Sequence, residues 1–427
     1  MRALPQPNTQ NLAQSIYREL LAGLSGALVG APQAMAFALI AGVEPIYGLY
    51  AAIVATLVGA LLDGHGVMTI APTNALALVV GSTLAPFVDG SGGELARLFS
   101  LTALVGLFQL GFGVLRLGRL MRYYDAAVLT GFISGAGLLI VLNQLPTLTG
   151  LTLAGGDTLS RSVEWLRSAA EFAPKTTLMG ALALALMLAF WWTRWRRYGT
   201  LVGLVVVSVL VAALGWEEVT RLQDIATLPR RLPFFVGPDW GYWPALAPGA
   251  LAIAVLGLAQ SAAMARGLPE DQAEFLKRLD SDSQDFLAQG LANLAGGFFQ
   301  CMPAGGSLSR TALLLGAGGR TRWSNVISAL VLAGLLVSVA GLAEQIALVA
   351  LSAQLVVAGL RLINWRSIRR IWGSGWAGQA ALSVTFAATL ILPLTLSVFL
   401  GMAISALLFV RRRRRKVRAN GWRHGTK

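Results

Sequence analysis

Long uncharged apolar stretches alternate along the chain with short segments that hold most of its arginines. A bilayer core about 30 Å thick takes about 20 mostly apolar helical residues, so each such stretch is a candidate membrane span. In the first half they run Leu20–Val43, Ile46–Leu62, Val67–Val88, Leu98–Leu115, Ala126–Leu145, Thr176–Thr193 and Tyr198–Trp216. In the second they run Tyr242–Ala265, Phe286–Phe299, a short piece Ser307–Gly319, Trp323–Ala343, Gln345–Leu360 and one run Ile371–Val410. The last is too long for one helix, and Pro393 marks its expected hairpin. The pattern therefore predicts an all-α polytopic membrane protein of about fourteen spans, seven in each half.

Two windows do not read as simple helices. Thr69-Ile70-Ala71-Pro72-Thr73-Asn74 interrupts the third, and Cys301-Met302-Pro303-Ala304-Gly305-Gly306-Ser307 interrupts the tenth. Each precedes an apolar helical run, so each helix is expected to start partway across the membrane. Irregular backbone at that depth must be covered by protein or line a wet cavity. Breaks at matching positions of two halves point to a secondary transporter built of inverted repeats, with half-helices 3 and 10 meeting at the midplane. Residue-level similarity between the halves is not evident. Two helix N-termini aimed at one cavity present free N–H groups and favour an anion. Arg310, one short turn into the tenth helix, adds charge there, unless it snorkels to the interface or pairs with a loop carboxylate. In the first span Gln33 and Phe37 share one face beside Pro32, a proline expected to open the backbone; packing of Phe37 and a helix-to-helix bond from Gln33 are the plainer alternative.

Charge settles orientation. Arg116, Arg119, Arg122, Arg194, Arg196, Arg197, Arg266, Lys277, Arg278, Arg320, Arg322, Arg361, Arg366, Arg369 and Arg370 fall in alternate loops, which marks those loops as cytoplasmic. An even span count then puts both termini inside, with residues 1–19 as a cytoplasmic segment, 20–410 as the membrane domain and 411–427 as a basic tail. The repeats are expected over about 20–216 and 242–410. The tail's run from Arg411 suits anionic lipid better than nucleic acid. No signal peptide is expected, because the segment before Leu20 is polar.

Composition narrows the chemistry. The 427 residues are 56% hydrophobic and only 13% charged, with 48 glycines and a net charge of +14. That excludes an ordinary soluble enzyme. One cysteine and two histidines leave no internal disulfide and no His-rich metal cluster, so neither cofactor nor metal is expected. An intramembrane enzyme would need a base beside Ser307 or Ser309, and none is evident.

Three ordered motifs resemble the SulP family of anion transporters, whose animal members form the sulfate and chloride/bicarbonate exchanger family. They are PQAMAFALIAGVEPIYGLYAA from Pro32 to Ala52, Ile70-Ala71-Pro72-Thr73 after Gly64-His65, and Asn293 through Thr321 with GSLSRTA and GAGGRT. The resemblance covers most of the chain. It implies a seven-plus-seven inverted repeat with core and gate domains, elevator-like movement, a homodimer and a bacterial inner-membrane location. It also implies substrate contacts at Gln33, Phe37, Thr73, Ser307 and Ser309, with backbone from Ala71 to Asn74 and from Gly305 through Gly306 to Ser307, and a field-supplying role for Arg310.

Two departures carry expectations of their own. No cytoplasmic STAS domain, which ends many members, is expected after Val410, as in a short form or a truncated chain. Where ion-coupled members place a carboxylate on the eighth helix this chain has Gln260, and the first, third, eighth and tenth windows hold no acid. An amide neither takes up a proton nor supplies charge to Na⁺, so anion exchange or facilitated transport is favoured over H⁺ or Na⁺ coupling. The expected cargo is a small anion of the sulfate, bicarbonate, chloride or dicarboxylate class. The rival readings are a nucleobase permease of the same architecture and a channel-like anion conductor.

Overall fold

A computed structural model describes residues 9–62, 68–87, 93–116, 125–153, 157–193, 198–265 and 281–424. The first half contains α1 (Thr9–Ile40), α2 (Pro45–Leu62), α3 (Asn74–Leu84), α4 (Glu94–Val114), α5 (Ala126–Thr149), α6 (Thr158–Arg167), α7 (Pro174–Ala189) and α8 (Gly199–Ala213). The second contains α9 (Trp243–Ala265), α10 (Ser281–Phe298), α11 (Leu308–Gly316), α12 (Arg322–Glu344), α13 (Leu348–Leu362), α14 (Trp365–Trp372), α15 (Trp376–Ile391) and α16 (Leu394–His424). Two short strands, β1 (Ile70–Ala71) and β2 (Gly305–Gly306), precede α3 and α11.

Among the described residues, the amphipathic helices α6 and α14 are too short to cross a membrane, and the other fourteen helices match the expected spans one for one. Six of them are long and apolar enough to span by themselves, α13 reaches that length only together with α14, and α3, α7, α8, α15 and the first part of α16 are shorter apolar helices. The two left over are α10, rich in polar residues, and the half-helix α11. Helix α10 packs on α4 and α2, and α11 on α1 and α9; a polar helix at membrane depth needs such protein partners.

Order and packing repeat between the halves, although their sequences do not. An amphipathic helix follows the fifth span of each half, α6 in one and α14 in the other. Packing obeys the same exchange: α1 lies on α12 as α9 lies on α4, α11 on α1 as α3 on α9, and α5 on α15 as α13 on α7. Eight helices, α1 to α4 and α9 to α12, form one group, while α5, α7, α8, α13, α15 and α16 form a second. Their seam is bridged by α1 on α13, α3 on α5 and α16, and α9 on α16.

The tightest pairing is α4 on α10. A Cβ on Gly106 would sit 2.3 Å from the Leu294 amide nitrogen, and one on Gly297 would sit 2.6 Å from that of Ala103. Glycine lets the two backbones touch, which replaces the hydrophobic drive that is missing between helices in lipid.

Several boundaries differ from expectation. Helix α1 starts at Thr9 rather than Leu20, and it runs through Pro32 without the expected opening. The third window is extended from Met68 to Thr73 before α3 begins, and the ninth span starts at Ser281, earlier than Phe286. The long final run divides at Leu392-Pro393 as expected, but its first residues, Ile371 and Trp372, belong to α14. The backbone of α16 stays helical to His424, so the basic segment continues the last span. Gly64-His65 and several loop arginines, among them Arg119, Arg122, Arg194, Arg196, Arg197 and Arg266, lie outside the described residues.

Candidate functional site

The two interrupted segments meet. β1 and β2 pair antiparallel, Ile70 opposite Gly306 and Ala71 opposite Gly305, so the helices that follow them start from one two-stranded patch and run away from it. Thr73 caps α3 in an extended conformation, its hydroxyl accepting the Leu76 amide, and Ser307 caps α11 by accepting the Arg310 amide. A hydroxyl at the cap satisfies one of the free donors of a helix start and leaves the others for a ligand.

Why these strands hold their place is visible in four polar side chains on neighbouring helices. Thr56 on α2 donates to the Ile70 carbonyl at 2.8 Å. Asn293 on α10, the matching helix of the other half, donates to the Ala304 carbonyl at 2.8 Å and accepts from the Ala304 amide at 2.7 Å. Each of these two braces the strand of its own half. Thr102 on α4 donates to the Cys301 carbonyl at 2.8 Å, while Asn325 on α12 donates to the Met68 carbonyl at 3.3 Å and accepts from the Thr69 hydroxyl at 2.7 Å. That pair braces the opposite strand. Two backbone links complete the join: the Ser307 amide donates to the Thr69 carbonyl at 2.8 Å, and the Thr69 amide donates to the Thr311 hydroxyl at 3.0 Å. The buried irregular backbone is thus hydrogen-bonded, as membrane depth demands.

Sequence reasoning missed this bracing set. The available signal was weak, because Thr102, Asn293 and Asn325 are each one of several polar residues in their apolar stretches, as Thr102 is beside Ser100 and Gln109.

The candidate site residues fall around this patch as follows. Ala71 is buried on β1, and Asn74 is half-buried with its Oδ1 accepting from the Ala75 amide at 3.1 Å. The Thr73 hydroxyl also donates to Gln260 Oε1 at 3.1 Å, which brings α9 to the start of α3. Gly306 touches α9 too: a Cβ there would lie 2.3 Å from the Ser261 hydroxyl. Gln33 on α1 is half-buried and its Oε1 has no hydrogen-bond partner, and Phe37, one turn on, is 5% exposed. Ser307 and Ser309 stand 3.4 Å apart at their hydroxyls, Ser307 buried and Ser309 exposed.

Arg310 is placed differently from its neighbours. It is 3% exposed and leaves α11 towards α1 and α12, where its Nη2 donates to the Ser328 hydroxyl at 3.4 Å. A Cβ on Gly30 would sit 2.8 Å from Nη2 and 2.9 Å from Cζ, so only glycine leaves room for the guanidinium on that face of α1. Its Nη1 is buried without a hydrogen-bond partner. Gly30 precedes Gln33 by three residues, so the guanidinium and the Gln33 amide lie one turn apart on one helix face. Arg310 therefore neither snorkels to an interface nor salt-bridges a carboxylate among the described residues.

One acid lies in α1, because that helix begins earlier than its apolar window. Glu19 is 6% exposed, its Oε1 accepts the Arg320 amide at 2.8 Å, and its Oε2 has no partner. At 1.5 Å per residue Glu19 is about 21 Å along the helix from Gln33, so it ties the loop after α11 and does not enter the patch. Among the described residues no group of His, Cys, Asp and Glu could hold a metal ion.

Four similarities bear on the protein. Residues 16–385 match the model of the sulfate permease family. The chain is 30% identical over 402 residues to "Probable sulfate transporter Rv1739c" of Mycobacterium tuberculosis, covering 92% of this chain and 70% of that one. It is 25% identical over 409 residues to the "Bicarbonate transporter BicA" of a Picosynechococcus species, covering 93% and 71%. Its fold matches a solved structure of the murine Solute Carrier 26 family member A9 anion transporter with a TM-score of 0.81 at 18% identity, over 96% of this chain and 73% of the other.

Proposed function

The chain belongs to the sulfate permease family, and from that premise we propose that it is a secondary transporter of small anions, of the sulfate, bicarbonate, chloride or dicarboxylate class. The observation that carries the reading is the joined pair of helix starts, with the N–H groups of Thr73, Asn74, Leu308 and Ser309 beside the buried Arg310. Fixed N–H dipoles at the ends of two helices attract an anion without the reorganisation that water would need. Gln33, Phe37, Ala71, Thr73, Asn74, Gly306, Ser307 and Ser309 line the anion, while Arg310 supplies field from behind α11. The unpartnered Gln33 Oε1 is an acceptor that a water could satisfy, while the amide N–H₂ of the same side chain is the part able to donate to an anion.

Movement follows from the two helix groups. The eight-helix group is the core that carries the anion, and the six-helix group is the gate it slides against in an elevator-type exchange of access. The hydrogen-bonded strand join favours carrying the site as a unit, because breaking it would strand buried backbone groups. Both termini lie on the arginine-rich face, taken as cytoplasmic, and the working form is a homodimer in a bacterial inner membrane. Gln260, bonded to the cap of α3, holds the place of a coupling carboxylate, so Na⁺ and H⁺ gradients do not drive uptake.

The test is uptake by purified protein in proteoliposomes, across a panel of sulfate, bicarbonate, chloride and dicarboxylates with imposed H⁺, Na⁺ and counter-anion gradients. Saturable flux stimulated by an anion on the far side is expected. Uracil uptake without anion flux would mean a nucleobase permease, and flux that never saturates would mean a channel-like conductor. Concentration of substrate by Na⁺ or H⁺ alone would end the uncoupled reading.

A further inference from the structure

A cavity of about 320 Å³ opens at the seam between the two helix groups, away from the strand patch. Leu78 of α3 and Ile40 of α1 form one wall, and Ile140, Asn143, Thr147 of α5 with Ser352 of α13 form the other. Leu78 follows Asn74 by four residues, and Ile40 follows Phe37 by three. The cavity therefore lies about one helical turn beyond the candidate site, towards the face opposite the arginine-rich one.

Arg161 of α6 also lines it. This side chain is not a stray surface cation. Helix α6 is pinned to α5 on both sides of Arg161: the Thr158 hydroxyl donates to Asn143 Oδ1 at 3.3 Å, and the Trp165 indole donates to the Thr149 hydroxyl at 2.9 Å. Trp165 is further fixed by stacking on Phe172 at 5.2 Å between ring centroids. Positions 158, 161 and 165 share one helix face, so pinning the outer two turns Arg161 towards α5. Its Nε is buried without a hydrogen-bond partner. The acid at the cap of the same helix, Asp157, is occupied with Ser160, whose hydroxyl and amide hold its carboxyl below the usual range.

We infer that this cavity is an outer anion site, in which Arg161 with the amides and hydroxyls of Asn143, Gln144, Thr147 and Ser352 holds a small inorganic anion before it reaches the helix starts. The inference rests on the anion-transport reading for the choice of occupant. The cavity joins both helix groups, so an anion held there sits where relative movement would deliver it. A cation in a cleft with apolar walls raises the local anion concentration.

The experiment places a thiol in the cavity. Thr147→Cys is made in the full chain in lipid nanodiscs, where Cys301, fully buried, adds no background. It is treated with sulfonatoethyl methanethiosulfonate or with its trimethylammonium counterpart. The anionic reagent should react roughly ten-fold faster or more. Arg161→Gln should remove that preference and Arg161→Lys should keep it. Sulfate should slow modification where gluconate does not. Equal rates for the two reagents, or a preference that survives Arg161→Gln, would overturn the outer site. If Thr147→Cys fails to fold, Ser352→Cys offers the same readout from the opposite wall. Sulfate flux through the unmodified protein is measured in parallel: flux without any Arg161 effect removes the outer site alone, and a charge preference without flux removes the transport reading instead.

Discussion

The starts of α3 and α11 have the same construction but different chemistry. Each is a short strand, a hydroxyl cap and a helix, braced from two neighbouring helices. The first break uses Pro72 and Thr73 and is neutral; its cap is shared with Gln260. The second uses Gly305-Gly306, has a second serine beside the cap, and buries Arg310 behind the helix. Backbone geometry is thus set twice, whereas charge is supplied once. An anion held between the two starts would owe its position to both and its electrostatic attraction chiefly to α11.

Four predictions, made with seven substitutions, test this asymmetry. The largest effect is expected from Gly306→Val, because even a Cβ there overlaps Ser261 and the strand pair would have to part. Anion flux should fall by roughly a hundred-fold or to background, as overpacking at a fixed backbone join costs several kcal/mol at worst. Near-normal flux would mean that the join is not needed.

Next comes Arg310→Gln. Hydrogen bonds and fields from a charged group are worth about 1.5–3 kcal/mol, so substrate affinity should weaken by roughly ten- to a hundred-fold in a flux titration. Gly30→Ala should act in the same direction with Arg310 still present, since it displaces the guanidinium. An unchanged apparent affinity in both would show that α11 owes nothing to its charge.

Smaller and equal losses should follow from removing either cap. Thr73→Val and Ser307→Ala each remove one helix N-cap, worth about 1 kcal/mol, and should raise the apparent KM by roughly five-fold. A much greater loss at Ser307 than at Thr73 would mean that the serine binds substrate through its own hydroxyl. Ser309→Leu, at the exposed position beside it, tests the same point without touching a cap.

The smallest effect at acidic pH, and the one most informative about coupling, is Gln260→Glu. A carboxylate beside the α3 start repels an anion when ionised and not when protonated. Flux through this variant should therefore fall as pH rises through the new group's pKa, while the unmodified protein stays nearly flat over the same range. Equal pH profiles would mean that position 260 does not face the anion.

Much of this was legible in the sequence. Uncharged windows gave the span count, because lipid leaves few alternatives to an apolar helix about 20 residues long. Both breaks were located by Pro72 and by the Gly305-Gly306 pair together with small polar residues just ahead of an apolar run; proline alone does not break a span here, since α1 runs through Pro32 and α5 through Pro146. The start of α1 was read too late: hydropathy stops at a charge, whereas a helix continues through Glu19 when its carboxylate finds a backbone amide to accept from. Helices α6 and α14 escaped notice because they lie along loops and bury no continuous apolar run.

By itself, then, the sequence determined roughly how many membrane spans there are, where two of them break, and which loops gather arginine. Only the tertiary structure decided that the breaks pair strand to strand, and that Thr56, Thr102, Asn293 and Asn325 brace them in a crossed pattern. It alone turned Arg310 onto Gly30 and Arg161 towards α5. The physical reason is separation along the chain. Spans answer to a local rule, the cost of taking polar backbone into lipid, but the partner of a buried polar side chain is chosen by helix packing. Thr69 and Asn325, 256 positions apart, meet through a single hydrogen bond that no local pattern contains.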